Sequence, residues 1–265
     1  VQGFVFDFDG VFYAYKFIPG GLNSLCDNIM AKTATALLKS HGLTLTLAKR
    51  LAHQGYEDHG DAITGLCVWA QKNEVEPESF KADLFAEYHK NLRMALLKLS
   101  PHIFENRRDL RLAFNLSQGR VQNGIATHSC ANYIARSFLA SMGIRQYFED
   151  AAVIGLANGD YTLKHTDPRL IELACDAMGL HPNDIAFVED TPRNLQTFKD
   201  KYPSAVTIYI HHGRPLDTLP DYIDVQFYNI LEMKRAWSES RKEPGKIISL
   251  SNPAAATHLA LSAPR

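Results

Sequence analysis

Apolar positions along this chain follow two alternating rhythms. Residues 3 to 8, Gly-Phe-Val-Phe-Asp-Phe, form a short aromatic and β-branched run that ends in acidic residues and Gly10, the pattern of a buried strand entering a loop. Similar runs occur at Val121 to Ala126, Ala151 to Ile154, Ile185 to Val188 and Ala205 to Ile210. Between them the spacing lengthens to three and four. Ala131, Ile134, Phe138 and Met142 make one helical stripe, closed by Gly143. Leu170, Ala174 and Met178 make another, with Asp167 expected as N-cap, Pro168 at the first helical position and Gly179 after the last turn. A third helix is predicted from Thr191-Pro192 to about Tyr202. Strands alternating with helices of this size predict an α/β fold built on a doubly wound parallel sheet.

The first strand breaks the alternation. About a hundred residues separate Gly10 from the next strand, and they carry helical segments near Leu25 to Ser40, Thr46 to Gln54, Ala62 to Gln71 and Glu78 to Lys98. A crossover of that length is a domain in its own right. The expected organisation is a core made of residues 1–14 and 106–237, with an inserted helical domain at 15–105 that exits near Ser100-Pro101. From residue 238 to 265 the chain turns rich in Ala, Ser and Pro and reads as a poorly ordered extension.

Charge narrows the choice of partner. With 28 basic and 29 acidic residues the net charge is -1, so no basic excess is available to track a nucleic acid backbone. Cys26, Cys67, Cys130 and Cys175 lie far apart without a C-x-x-C pair, which favours reduced thiols over a disulfide or zinc framework. No run of 18 apolar residues is present, and no membrane association is expected. Val1-Gln2-Gly3-Phe4 lacks the basic start and cleavage site of a secretory signal, so the expected location is cytoplasmic.

In a parallel sheet, function gathers outside the carboxyl ends of the strands. Four such places are polar here: Asp7-Phe8-Asp9-Gly10-Val11, Thr127-His128-Ser129, Lys164-His165, and Glu189-Asp190-Thr191. Asp7, Asp9, Glu189 and Asp190 would bring four acidic groups to one rim, a costly arrangement unless a cation or shared proton relieves it. Oxygen ligands of this kind suit Mg²⁺, which binds through few carboxylates and substrate phosphate. Lys164 and the Thr127 hydroxyl can hold phosphate oxygens, helped by main-chain N–H groups at Gly10 and around His128 and Ser129. Taken singly, Asp9-Gly10 is also a turn signal, Thr127 a helix cap and Lys164 a solvated loop lysine.

Together and in order, these segments resemble the haloacid dehalogenase (HAD) superfamily of aspartate-nucleophile phosphatases. Phe4-Val5-Phe6-Asp7-Phe8-Asp9-Gly10-Val11 resembles its first motif, Gly124-Ile125-Ala126-Thr127 its second, and Phe187-Val188-Glu189-Asp190 with Asn194 its fourth. The resemblance implies a Rossmann-like core with an inserted α-helical C1-type cap. It implies that Asp7 is nucleophile and metal ligand, and that Asp9 is acid/base and gives a main-chain oxygen to Mg²⁺. Asp190 is then a further ligand, Glu189 acts through water, and Thr127 and a third-motif cation bind the phosphoryl group. The family often shows Lys-Pro-x-Pro before the third helix, whereas this chain has Lys164-His165-Thr166-Asp167-Pro168. Counting back from Pro168 selects His165; one extra loop residue restores Lys164, preferred because an ammonium stays charged at neutral pH.

Cap segments Tyr56-Glu57-Asp58-His59-Gly60-Asp61, Gly65-Leu66 and Glu87-Tyr88-His89 resemble the pyrimidine 5′-nucleotidase-like group. The expected substrate is therefore a small phosphorylated metabolite, a nucleoside 5′-monophosphate. The rivals are a phosphatase or phosphomutase for a sugar phosphate, a dehalogenase, disfavoured by the second carboxylate Asp9, and a catalytically silent binding protein on the same scaffold.

Overall fold

The computed structural model describes residues 1–13, 21–59, 61–103, 107–115 and 121–242. The chain divides into two compact units, one formed by Val1–Ala14 with Phe104–Arg265, the other by Tyr15–Ile103.

The first unit is a six-stranded sheet in the order β3-β2-β1-β4-β5-β6, parallel at every pairing. Its strands are β1 (Gly3–Phe6), β2 (Gln122–Ala126), β3 (Val153–Ile154), β4 (Ile185–Glu189), β5 (Val206–Ile210) and β6 (Val225–Phe227). β1 lies in the middle because it is apolar on both faces: Phe4, Val5 and Phe6 are at most 1% exposed. On one face Phe4 and Phe6 meet Phe114 of α5 (Arg107–Asn115) and Trp237 of α9 (Ile230–Lys242). On the other, α7 (Arg169–Met178) packs against β1, β2 and β3, while α8 (Pro192–Lys201) sets Phe198 against Phe187 of β4. Each buried aromatic contributes roughly 1.5–3 kcal/mol. α6 (Ser137–Met142) continues a π-helical turn at Ala131–Arg136 and ends at Gly143 in the left-handed region.

The second unit is helical: α1 (Gly21–Leu37), α2 (Leu45–His59), α3 (Ala62–Lys72) and α4 (Pro77–Ile103). Asp61 caps α3 by accepting from the Ile63 and Thr64 N–H groups. α2 and α3 approach closely where Gly55 meets Gly65, since a Cβ on either would collide with the other helix's backbone. Tyr88 and His89 are buried in this unit, Nδ1 of His89 donating to the Phe85 carbonyl, whereas Tyr56 and His59 are exposed. Gly60 lies outside the described residues.

Three expectations need correction. Asp167 does not cap α7: the N-cap residue is Pro168, and the Asp167 N–H turns back to the Leu163 carbonyl in a tight turn. α4 does not stop before Ser100-Pro101 but runs to Ile103, the proline falling in its final turn. Residues 238–242, assigned to the extension, complete α9, whose apolar face packs on the sheet; residues 243–265 lie outside the described set. Two elements were not expected: α5, and the three-residue edge strand β6.

Among the described residues, no helix is long and apolar enough to cross a membrane.

Candidate active site

β1 is flanked by β2 on one side and β4 on the other, so the carboxyl ends of three strands share one rim. The Asp7 N–H still donates to the Val188 carbonyl at 2.8 Å and the Thr127 N–H to Ile154 at 3.1 Å, which carries the ladder one residue past the strand ends. The rigid sheet thus sets where Asp7, Thr127 and Glu189 begin.

Asp7, Glu189 and Asp190 each offer a carboxylate oxygen, all within 4.8 Å of one another. Lys164 enters from the segment between β3 and α7. Its Nζ is 2.9 Å from Asp7 Oδ1 and 2.7 Å from Glu189 Oε2, and it donates to the Ala126 carbonyl at 3.2 Å. At 1% exposure this ammonium has exchanged water for those three oxygens. The turn at Leu163–Asp167 absorbs the extra residue in the loop, so Lys164 occupies the cluster while His165 stays part-exposed.

Glu189 is saturated. Oε1 accepts from the Asp190 and Thr191 N–H groups at 3.0 and 3.1 Å, and Oε2 accepts from Lys164 and from Asn194 Nδ2 at 3.0 Å. Burial opposes its ionisation, but the Lys164 charge and these hydrogen bonds prevail and bring its pKa down to about 2. Asp7 goes the other way, raised first by burial and then by the Glu189 charge against the pull of Lys164. Asp190 is raised by burial and by the charges of Glu189 and Asp7. One ammonium does not neutralise the three carboxylates, Asp7 and Glu189 buried and Asp190 half-buried. That surplus of negative charge, held in oxygen donors, is what a hard divalent cation relieves, and the donor set fits Mg²⁺. With Glu189 fully engaged, Asp7 and Asp190 are the carboxylates left to hold it.

Asp9 stands apart from this cluster in a cradle of hydroxyls. Its Oδ1 accepts from Tyr13 at 2.6 Å, and its Oδ2 from Ser129 at 2.6 Å and Thr127 at 3.1 Å. Hydroxyls donate or accept as required, so the cradle holds Asp9 whether or not it carries a proton. Thr127 is fully buried, its hydroxyl donating to Asp9 and accepting from the Ser129 N–H. His128, whose main-chain N–H was expected near the phosphate, turns its ring to Lys164: Nε2 accepts from the Lys164 N–H at 2.8 Å. Burial and then the Lys164 charge lower the ring's pKa to about 3, so Nε2 stays an acceptor and the ring braces the Lys164 backbone.

Gly10 takes a φ of +78°, and a Cβ there would overlap the Asp190 carboxylate. Only glycine lets the loop after Asp9 pass so close. The hydroxyls of Tyr13 and Ser129 complete the Asp9 cradle without having been expected there. Ser129 stood out only for the main-chain N–H groups around it, and Tyr13 gave no signal, since a tyrosine beside Phe12 reads as core.

Known structures share this architecture. A HAD hydrolase of family IA, variant 3, from Entamoeba histolytica superposes with a TM-score of 0.59 at 18% identity, covering 89% of this chain and 98% of its own. A protein described as a candidate β-phosphoglucomutase from Bacteroides vulgatus gives 0.54 at 14% identity, with 93% and 91% covered. A HAD-superfamily hydrolase of subfamily IA, variant 1, from Geobacter sulfurreducens gives 0.50 at 15% identity, with 88% and 97% covered. At these identities the likeness is one of fold. No curated protein matches the sequence. The model of the haloacid dehalogenase-like hydrolases matches residues 1–200, and the chain belongs to that family of hydrolases.

Proposed function

We propose that the protein is a Mg²⁺-dependent phosphomonoesterase working through an aspartyl-phosphate, with a nucleoside 5′-monophosphate as substrate. The observation that carries this reading is the separation of two carboxylates two residues apart. Asp7 lies against Lys164 at 2.9 Å in the acidic cluster, and Asp9 lies in a hydroxyl cradle. That separation supports giving the attack to Asp7 and the proton transfers to Asp9.

Asp7 Oδ attacks phosphorus and forms the aspartyl-phosphate while the ester oxygen departs, taking a proton from the Asp9 carboxyl. Asp9, now a carboxylate, accepts a proton from the water that attacks the phosphorus in turn. The products are an alcohol and inorganic phosphate, and both aspartates return to their starting forms. Lys164 balances charge at the attacking oxygen, and Glu189 with Asn194 keeps its ammonium there. Asp7, Asp190 and the main-chain oxygen of Asp9 would hold the metal, which supplies Lewis-acid stabilisation of the phosphoryl oxygens. The nucleotide assignment is supported by the cap segments around Tyr56–Asp61 and Glu87–His89.

A panel of phosphomonoesters assayed with Mg²⁺ tests the proposal. We expect hydrolysis that is fastest on nucleoside 5′-monophosphates, abolished by EDTA and abolished in Asp7→Asn with the fold intact. Preference for a sugar phosphate would remove the nucleotide assignment. Undiminished turnover in Asp7→Asn would remove the nucleophile assignment, and halide release from a haloacid in the presence of EDTA would favour the dehalogenase instead.

A further inference from the structure

The mechanism above makes no use of a histidine that touches the nucleophile loop from the end of β5, two strands away in the sheet. His212 follows β5, and its Nε2 lies 2.6 Å from the Gly10 carbonyl, a contact between residues 202 apart in the chain. A carbonyl oxygen only accepts, so Nε2 carries the hydrogen and donates it.

The backbone around His212 is held firmly. The His211 and His212 N–H groups donate to the Phe227 and Tyr228 carbonyls at 3.0 and 2.9 Å, which extends the β5–β6 ladder past its end. The His212 ring meets the edge of Tyr228 with centroids 6.3 Å apart. Its φ is +46°, a conformation most side chains avoid and one that costs energy wherever it is kept. Gly213 beside it also has positive φ, at +94°. The strained residue is therefore the one whose side chain reaches Gly10, and the unstrained option, glycine, stands one position too late to do so.

On the other side of the contact, Gly10 is hemmed in twice. Asp190 fills the place its Cβ would take, and His212 holds its carbonyl. Those two contacts fix the backbone immediately after Asp9.

We propose that His212 is a positioning residue that holds the Asp7–Gly10 loop in register with Asp190 for the attack step. The proposal rests on the phosphomonoesterase reading for the step it serves. The contact is to the backbone of the loop, so the effect expected is on the attack step and not on substrate affinity.

Two variants test it, with kinetics at saturating Mg²⁺, thermal melting, and hydrogen exchange of the segment spanning residues 3–13. His212→Gly removes the donor and also relieves the positive φ. We expect a melting temperature within a few degrees of wild type, a kcat lower by about tenfold to a hundredfold, a KM within about threefold of wild type, and faster exchange. His212→Gln returns an N–H donor at similar reach, and we expect it to recover most of the lost kcat and the slow exchange. An unchanged kcat in His212→Gly overturns the proposal. So does a loss of kcat in both variants that tracks melting temperature, since a structural tie alone would behave that way. If the wild type hydrolyses no phosphomonoester, the functional reading fails separately, and exchange decides. Faster exchange in His212→Gly that His212→Gln reverses keeps His212 as the holder of the loop; unchanged exchange removes it.

Discussion

Replacing Lys164 by Met leaves the buried Asp7 and Glu189 and the half-buried Asp190 without their cation, and the structure sets the size of the effect. The Glu189 pKa falls from an ordinary 4.5 to about 2, and Lys164 is the largest of the influences that lower it. At about 1.4 kcal/mol per unit, that shift is worth about 3 kcal/mol of folding stability at neutral pH. Breaking a buried ion pair by removing one partner costs a similar amount, about 3–5 kcal/mol. The sign follows from a depressed acid. The contribution is complete above pH 4.5, where the unfolded carboxyl is also ionised, and is lost as pH falls through about 2. Lys164→Met should therefore be about 3 kcal/mol less stable than wild type at pH 7 and less than half as deficient at pH 3. Urea denaturation of both proteins in EDTA at the two pH values measures this. A deficit equal at both, or one under about 1 kcal/mol at pH 7, would show that Lys164 does not hold Glu189 ionised.

Gly10→Ala should lower stability by at least about 1–2 kcal/mol, the cost of the left-handed conformation, and reduce turnover because its methyl displaces the Asp190 carboxylate; melting and kinetics of one variant check both. Lys234 of α9 is fully buried against the rings of Phe4, Phe6 and Phe114 and donates to Asn123 Oδ1, and burial lowers its pKa from 10.5 to about 7. Between those values the unfolded chain carries a proton that the folded protein sheds, so wild-type stability should rise with pH, by at most about 5 kcal/mol. Lys234→Met should flatten that rise in denaturation at pH 7 and 9.5, and parallel profiles for the two proteins would refute it.

The sheet was readable where burial is two-sided. β1 and most of β4 are continuous apolar runs because both faces are covered, and β5 is broken by Thr207, itself buried. β6 is three residues at the sheet edge with Gln226 at its centre, too short for any period to show. α5 presents a single pair of turns, with Leu110, Ala113 and Phe114 turned inward, and was lost beside the longer α4. In the site, Asp7, Glu189 and Asp190 were legible because carboxylates directly after apolar strands are chemically conspicuous. Lys164 was ambiguous against His165 because spacing within a loop does not fix its path; the turn at Leu163–Asp167 decides it. The hydroxyl of Tyr13 and the ring of His212 were not legible at all, since their roles depend on residues brought close only by the finished sheet.

The central place of β1 also has a consequence for synthesis. Its partners on either side, β2 and β4, begin at residues 122 and 185, so β1 is made long before either neighbour exists. At about 5–20 residues per second, the Gly3–Phe6 segment waits on the order of ten to forty seconds with its aromatic side chains uncovered. The helices of Tyr15–Ile103 meanwhile depend on contacts within a stretch already made. The nascent chain thus carries an uncovered aromatic segment ahead of a helical stretch that can pack on itself, and its yield in cells should respond to chaperone supply more than the finished protein's stability would suggest.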